Sequence, residues 1–269
     1  MDKLEFYSTL QPQTHMLILG SSGSGKSVVL NGIMSSLLYT DCKLVCIDLK
    51  RVELSPYRKS KKCIRYAETL EEAVSALEWI LSETDRRYKV MQRQGVRKSI
   101  ETPIYVCIDE VAELLTVDKK RCMPLLQRIG QVSRAANIKM ICCSQCLLST
   151  VISTPLRINF DSVIGLRTET KRQSTMIIGQ SILETLPKYG SLVHKDSSMM
   201  HPQQYNGVPM LDDNEIRLII RDSNKRKPSY LKNKANNNNT PSGTSYREPK
   251  AKKSLIDILF PYMFCDGEA

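Results

Sequence analysis

Short apolar runs alternating with amphipathic stretches organise this 269-residue chain. Residues 15–19 and 44–48 are apolar runs of strand length, and residues 27–38 between them carry apolar side chains at helical spacing. A glycine-rich turn precedes that helix, so the order reads strand, turn, helix, strand, the opening of a parallel α/β sheet. Thr69 is placed to cap a long helix reaching about Gln94. Leu70, Ala73, Val74, Leu77, Ile80 and Leu81 fall at helical spacing there, and Gly95 follows as a stop. Residues 104–108 predict a third strand, 123–136 a helix, 139–144 a fourth strand and 162–166 a fifth. Further helices are expected at 170–178 and 211–222, with a short strand at 191–194. Such alternation predicts a three-layer αβα domain with a mostly parallel sheet, occupying residues 1–223.

Past that point the pattern stops. Residues 224–253 are rich in Lys, Asn, Ser, Pro and Gly with almost nothing to bury, and are expected to be a disordered basic linker. Residues 254–269 form a short apolar C-terminal peptide around Leu255, Ile256, Ile258, Leu259, Phe260, Tyr262, Met263 and Phe264. Such a peptide suits docking on a protein partner or folding back on the domain.

Charge sharpens the division. Of the formal net +11, residues 224–253 contribute +8, the last sixteen residues −3, and residues 1–223 the remaining +6. A basic body with a more basic tail points to a polyanionic partner, nucleic acid before membrane. No run reaches eighteen apolar residues and the N-terminus lacks the pattern of a signal peptide, so direct membrane insertion is not expected and a cytoplasmic location is. Nine cysteines lie mostly inside apolar runs such as 45–47, 106–108 and 141–143, where they read as small buried hydrophobes in a reducing compartment. Cys143 and Cys146 make a CxxC, but no second pair or histidine cluster completes a zinc site.

The chemistry concentrates at two strand ends. Gly20, Ser21, Ser22, Gly23, Ser24, Gly25, Lys26 and Ser27 fit GxxxxGK[ST] in full, directly after one apolar strand and directly before the helix pattern of residues 27–38, with Val28 the last candidate nucleotide contact. Glycines let successive backbone N–H groups turn inward around phosphates, and the helix N-terminus adds its positive end. Lys26 is then a point charge for the β and γ phosphates, and Ser27 offers its hydroxyl to Mg²⁺. This predicts a P-loop NTPase of the RecA-like kind, with ATP and Mg²⁺ as cofactors. The strand 104–108 delivers Asp109 and Glu110 at its C-terminal end, where α/β sheets bind ligands. Asp109 is the candidate second ligand of Mg²⁺, and Glu110 the candidate base for the attacking water. A helix cap is the plainer role open to that pair. Gln145, at the end of the fourth strand, is a candidate γ-phosphate sensor. Arg167 and Arg172 are candidates to reach a neighbouring subunit's nucleotide, a solvated loop being the alternative.

These residues resemble the FtsK/SpoIIIE family of DNA translocases in more than the nucleotide motifs. His15 to Gly20, followed by Ser24 to Val28, looks like the family's strand and P-loop, and Ile47-Asp48-Leu49-Lys50 with Glu53 to Tyr57 looks like the segment after its second strand. Arg86 to Met91, Gly95-Val96-Arg97, Asp109 to Leu114 and Gly130 to Ile138 follow in the family's order, so the resemblance covers about residues 15–194. Where the family has Thr-Gln-Arg-Pro this chain has Ser144-Gln145-Cys146-Leu147, and Lys171 to Thr175 replaces the usual Ser-Arg finger. The resemblance implies an ATP-hydrolysing motor that moves double-stranded DNA as a homo-hexameric ring. With the P-loop beginning at residue 20, it further implies a compact member, motor domain only, as on conjugative or phage-like elements. A related ATPase moving protein, as in type VII secretion, and a weakly hydrolysing regulatory subunit are the alternatives.

Overall fold

The structure, a computed structural model, describes residues 2–145 and 154–226. Within them eight strands form one sheet: β1 (Met16–Leu19), β2 (Lys43–Ile47), β3 (Cys63–Ala67), β4 (Ile104–Ile108), β5 (Ile138–Ser144), β6 (Ser162–Gly165), β7 (Ser191–Asp196) and β8 (Gln203–Asn206). The spatial order is β3-β2-β4-β5-β1-β6-β7-β8. From β3 through β6 every neighbouring pair is parallel, and β7 and β8 add antiparallel pairs at one edge. Among the described residues the α-helices are α1 (Lys3–Thr9), α2 (Lys26–Leu37), α3 (Leu70–Gln94), α4 (Val111–Val132), α5 (Thr154–Arg157), α6 (Lys171–Ile178) and α7 (Asp213–Lys225), with two short 3-10 turns at Ser55–Lys59 and Leu183–Thr185.

Strand side chains alternate between two cores. Leu17 and Leu19 of β1 join Val45, Ile47, Val106 and Ile108 in a cluster with α3 and α4. Met16 and Ile18 face the other way, into a cluster with α1, α2 and α7. Burial on both faces is why these strands read as continuous apolar runs, and it yields the expected αβα layering.

The long helix forms where its signals place it. Thr69 Oγ1 accepts the Glu72 N–H while the Glu72 carboxylate accepts the Thr69 N–H, a reciprocal cap, and Gly95 ends the helix at φ 65°. The helix expected at 123–136 instead begins at Val111 and ends at Val132. The polar run 118–121 interrupts the apolar repeat, but the chain only kinks there. Asp118 leaves helical geometry, its carboxylate accepts the Arg121 N–H, and the helix restarts. Helix α7 continues to Lys225, two residues past the expected boundary at 223. Strand β3 gives little signal because it is an edge strand whose side chains are mostly exposed or half-buried. Helix α1 is only seven residues long, and Tyr7 ties it down by lying against Gly32, where an added Cβ would meet the ring at 2.1 Å. Among the described residues the cysteines are free and, Cys63 apart, buried. No described helix is long and apolar enough to cross a membrane. Cys146, most of the expected linker and the whole C-terminal peptide lie outside the described residues.

One buried charge binds α3 to the sheet. Arg87, 1% exposed, pairs with Glu83 at 2.9 Å and donates to the carbonyls of Ala136 at 2.9 Å and Thr102 at 2.8 Å. Those carbonyls lie where the chain enters β5 and β4, so a single guanidinium satisfies backbone acceptors ahead of two core strands. Arg87→Met removes the charge and strands both carbonyls, while Glu83 keeps its bidentate pair with Arg86. It should lower unfolding free energy by about 2–5 kcal/mol, at about 1–3 kcal/mol for each buried acceptor left unmet. Urea denaturation of the variant reads this directly, and a drop under about 1 kcal/mol, the scale of an exposed pair, contradicts the tie.

Candidate functional site

The glycine loop joins β1 to α2 at the C-terminal edge of the parallel sheet. Gly23 and Gly25 adopt φ of 69° and 98°, which glycine takes without strain. Gly20 is required for a different reason. A Cβ there would meet Ser24 Oγ at 2.6 Å and Leu166 Cβ at 2.9 Å, because the segment after β6 passes close by. That segment also holds the loop through the Ser21 N–H, which donates to the Arg167 carbonyl at 3.0 Å. Ser24 Oγ is buried without a hydrogen-bond partner, and the first N–H groups of α2, from Lys26, Ser27 and Val28, have no partner inside the helix. A loop of inward-facing donors with an orphaned hydroxyl fits a phosphate chain.

Lys26 is 8% exposed, and its Nζ donates to the carbonyls of Gly20 at 2.9 Å and Ser21 at 2.8 Å. Burial lowers its pKa, and the Glu110 carboxylate opposes that shift most strongly. The loop lysine and the carboxylates from β4 therefore share one electrostatic site.

Asp109 and Glu110 leave the end of β4 side by side but in unlike surroundings. Burial pushes the half-buried Asp109 carboxyl up to about 7, with Glu53, Asp48 and Glu110 adding to the rise and Lys50 opposing it. Glu110 caps α4. Its carboxylate accepts the Ala112 N–H at 3.2 Å and the Gln145 N–H at 3.2 Å. The capping role open to this pair is therefore real for Glu110, and the same bonds fix where its carboxylate stands between β4 and β5. Gln145 reaches the site through its backbone, at the end of β5 beside Ser144. Arg167 and Arg172 are both exposed, and the Arg167 guanidinium donates to the Leu186 carbonyl at 3.0 Å.

Residues of the β2–β3 connection join the site although the sequence pattern gives them no role there. Asp48 is fully buried and accepts the N–H groups of Arg51 and Leu54, both at 2.9 Å, and the Tyr66 hydroxyl at 3.2 Å. This closed turn carries Glu53, and Lys50 pairs with Glu113 at 3.4 Å. The residues are visible as a family-like string, but nothing in their spacing says that β2 lies beside β4 in the sheet. A cavity of about 330 Å³ flanks the P-loop, lined by Val28, Val29, Leu166, Tyr189, Val208 and Met210 among others. Its walls come from segments nearly two hundred residues apart, which no local pattern can join.

Known proteins share stretches of this sequence and this fold. The FtsK/SpoIIIE family profile matches residues 3–102. The DNA translocase FtsK of Shewanella oneidensis is 29% identical over 259 residues, covering 81% of this chain and 28% of the relative. That of Streptococcus agalactiae serotype V is 32% identical over 229 residues, covering 76% and 28%. The chain thus spans under a third of the length of these relatives. Among solved structures, the pCW3 conjugation coupling protein TcpA, in a monomer form with ATPγS, superposes with a TM-score of 0.71 at 23% identity, covering 80% of this chain and 65% of that one. The cytoplasmic domain of the type VII secretion ATPase EccC of Thermomonospora curvata superposes at 0.66 with 20% identity, covering 80% and 28%. The solved structures share the fold of this chain, and the profile over residues 3–102 together with the translocase relatives shows its likeness to the FtsK/SpoIIIE family.

Proposed function

We propose that the chain binds ATP with Mg²⁺ and hydrolyses it to move double-stranded DNA, acting in a ring of identical subunits with six as the expected number. The observation that supports this most is the meeting of Lys26, Asp109 and Glu110 at one strand edge, with Glu110 oriented by N–H groups of α4 and Gln145. Backbone N–H groups from residues 20–27 cradle the phosphates, Lys26 swings from its loop carbonyls to the β and γ oxygens, and Val28 lies between the loop and the apolar cavity that takes the base. Ser27 and Asp109 would hold Mg²⁺, whose charge, when bound, offsets that of the transferring phosphate. The crowding of acidic groups around Asp109 suits a divalent cation there. Glu110 takes the proton of the attacking water, and Gln145, whose N–H bonds that carboxylate, would sense the γ-phosphate. Arg167 and Arg172, both exposed past β6, would reach a neighbour's nucleotide. DNA as cargo is carried over from the translocase relatives, and the net charge of +11 supports it.

Lys26→Ala should abolish ATP binding, since it deletes the full charge that meets the phosphates in a buried setting. Glu110→Gln keeps an oxygen for the Ala112 N–H and should bind ATP normally while hydrolysing it roughly 10²-fold more slowly, as for removal of a positioned base. Binding titrations beside turnover separate the two, and equal loss of binding in both variants refutes the assignment.

Asp109 gives a pH test. Its folded pKa of about 7 exceeds the ordinary carboxyl value of 3.8. Between those values the folded chain holds a proton that the unfolded chain has released, so this group makes stability fall as pH rises through the window. Without nucleotide and Mg²⁺, Asp109→Asn should melt above wild type at pH 8, with the gap narrowing toward pH 4. Parallel melting curves across that range would show that the charge carries no such penalty.

Cargo is tested by turnover with and without linear duplex DNA. Stimulation by duplex is the expected result, whereas stimulation only by an unfolded polypeptide would transfer the motor to protein substrates.

A further inference from the structure

The edge of the sheet opposite the P-loop holds a second cleft, of about 600 Å³. It opens where β1 and β5 begin and where α3 and α4 end, with Thr14, Asn137 and Lys139 among its lining. Strand β5 runs from this cleft to Gln145, so the two sites stand roughly 20 Å apart along the strand. Four cations line the cleft, Arg97, Lys98, Arg134 and Lys139, and no carboxylate does.

Basic residues beside helix C-termini ordinarily serve the free carbonyls there. Here other donors serve them. Gly95 and Val96 N–H groups take the Gln92 and Met91 carbonyls, Tyr88 Oη takes that of Val132 at 2.8 Å, and Arg87 takes those of Ala136 and Thr102. Arg134 pairs with Asp161 at 2.5 Å, but Arg97, Lys98 and Lys139 form no ion pair among the described residues. Lys139 is half-buried, with its Nζ 3.2 Å from the Pro12 carbonyl and 3.5 Å from the Tyr105 hydroxyl, both neutral. Burial accordingly lowers its pKa. Its Nζ also stands 5.2 Å from the centre of the Tyr105 ring, and holding an ammonium out of water with only neutral partners costs free energy that a bound anion would recover.

We propose that this cleft is a second nucleic-acid contact, one that takes the phosphodiester backbone by charge and without reading sequence. The proposal rests on the DNA-motor reading for the identity of the polyanion. A phosphodiester run suits the site better than an acidic peptide does. The lining offers amide donors from Gln13 and Gln131 for phosphate oxygens. Its apolar side chains are Val132, Ala135 and the ring of Tyr88, whose hydroxyl is bonded to the Val132 carbonyl, a smaller apolar share than the four cations and the amides of Gln13 and Gln131 beside them.

The test uses the full chain and a short labelled duplex of arbitrary sequence, with affinity measured across salt concentrations. The variants are Arg97→Ala/Lys98→Ala, both at exposed positions, and the same pair with Lys139→Gln. Removing one cation from a phosphate should flatten the slope of log affinity against log salt by about 0.9, so the double variant should lower it by about 2 and the triple variant by more. ATP affinity should stay at the wild-type value in both, which also shows that they fold. Arg217→Ala/Arg221→Ala, on α7 in the other layer, removes equal charge as a control. An equal flattening in that control would mean that net charge, and not the cleft, is being read, and would overturn the proposal. So would an unchanged slope in the double and triple variants while wild type binds duplex, a result that leaves the motor reading standing. Wild type that fails to bind duplex overturns both. Variants that keep duplex affinity but no longer bind poly-glutamate would assign the cleft to an acidic peptide instead.

Discussion

A parallel sheet covered on both faces leaves its two edges of strand ends as the places where polar groups can work. Residues within β1, β2, β4 and β5 are buried nearly throughout, so whatever chemistry the strands carry must sit where they stop. Because these strands run the same way, their C-terminal ends share one edge. Residues that directly follow β2, β4 and β5 are Asp48, Asp109 and Gln145, and β1 runs straight into Gly20. Four stretches distant in sequence become one site because of strand direction and order alone.

That convergence has an electrostatic cost. Buried Lys26 loses hydration, and the carboxylates from β4 offset it. Asp109 in turn sits among Glu53, Asp48 and Glu110 with Lys50 as the opposing charge, an arrangement that disfavours its ionised form. Hydrogen bonding divides the carboxylates into fixed and adjustable groups. Asp48 accepts three bonds and holds its loop closed, and Glu110 accepts N–H groups from α4 and Gln145. Asp109, held by none of these bonds, is the carboxylate we propose for a bound cation.

Much of this is legible in the sequence where one residue's neighbours determine its conformation. The P-loop, the Thr69 and Gly95 helix limits and the Asp109-Glu110 strand end all depend on local pattern, and they form where that pattern puts them. What escapes depends on distant chain segments or on a single side chain's choice of partner. The restart of α4 past residue 118 comes from one carboxylate bonding a nearby N–H, which periodicity does not register. The involvement of Lys50 and Glu53 follows from β2 lying beside β4 in the sheet, and the wall of the apolar cavity from β7 and β8 folding back antiparallel beside β6.

The P-loop's other anchor has a mechanical consequence for the basic segment past β6. The Leu166 N–H donates to the Leu19 carbonyl at 2.7 Å, and the Arg167 carbonyl receives the Ser21 N–H. Gly20 has no room for even a methyl group against Leu166. The backbone of residues 166–167 is thus bonded directly to the loop that would hold phosphate. Thr170 then caps α6, which carries Arg172 in its first turn, so the short connection between loop and helix is itself ordered by side-chain bonds. In the role proposed for them, Arg167 and Arg172 would face a neighbour's nucleotide while their backbone rests on their own subunit's P-loop. A shift of that loop on release of γ-phosphate would pull on Arg167 through the Ser21 bond and on Leu166 through its close approach to Gly20, while the Leu166–Leu19 bond holds the same segment to β1.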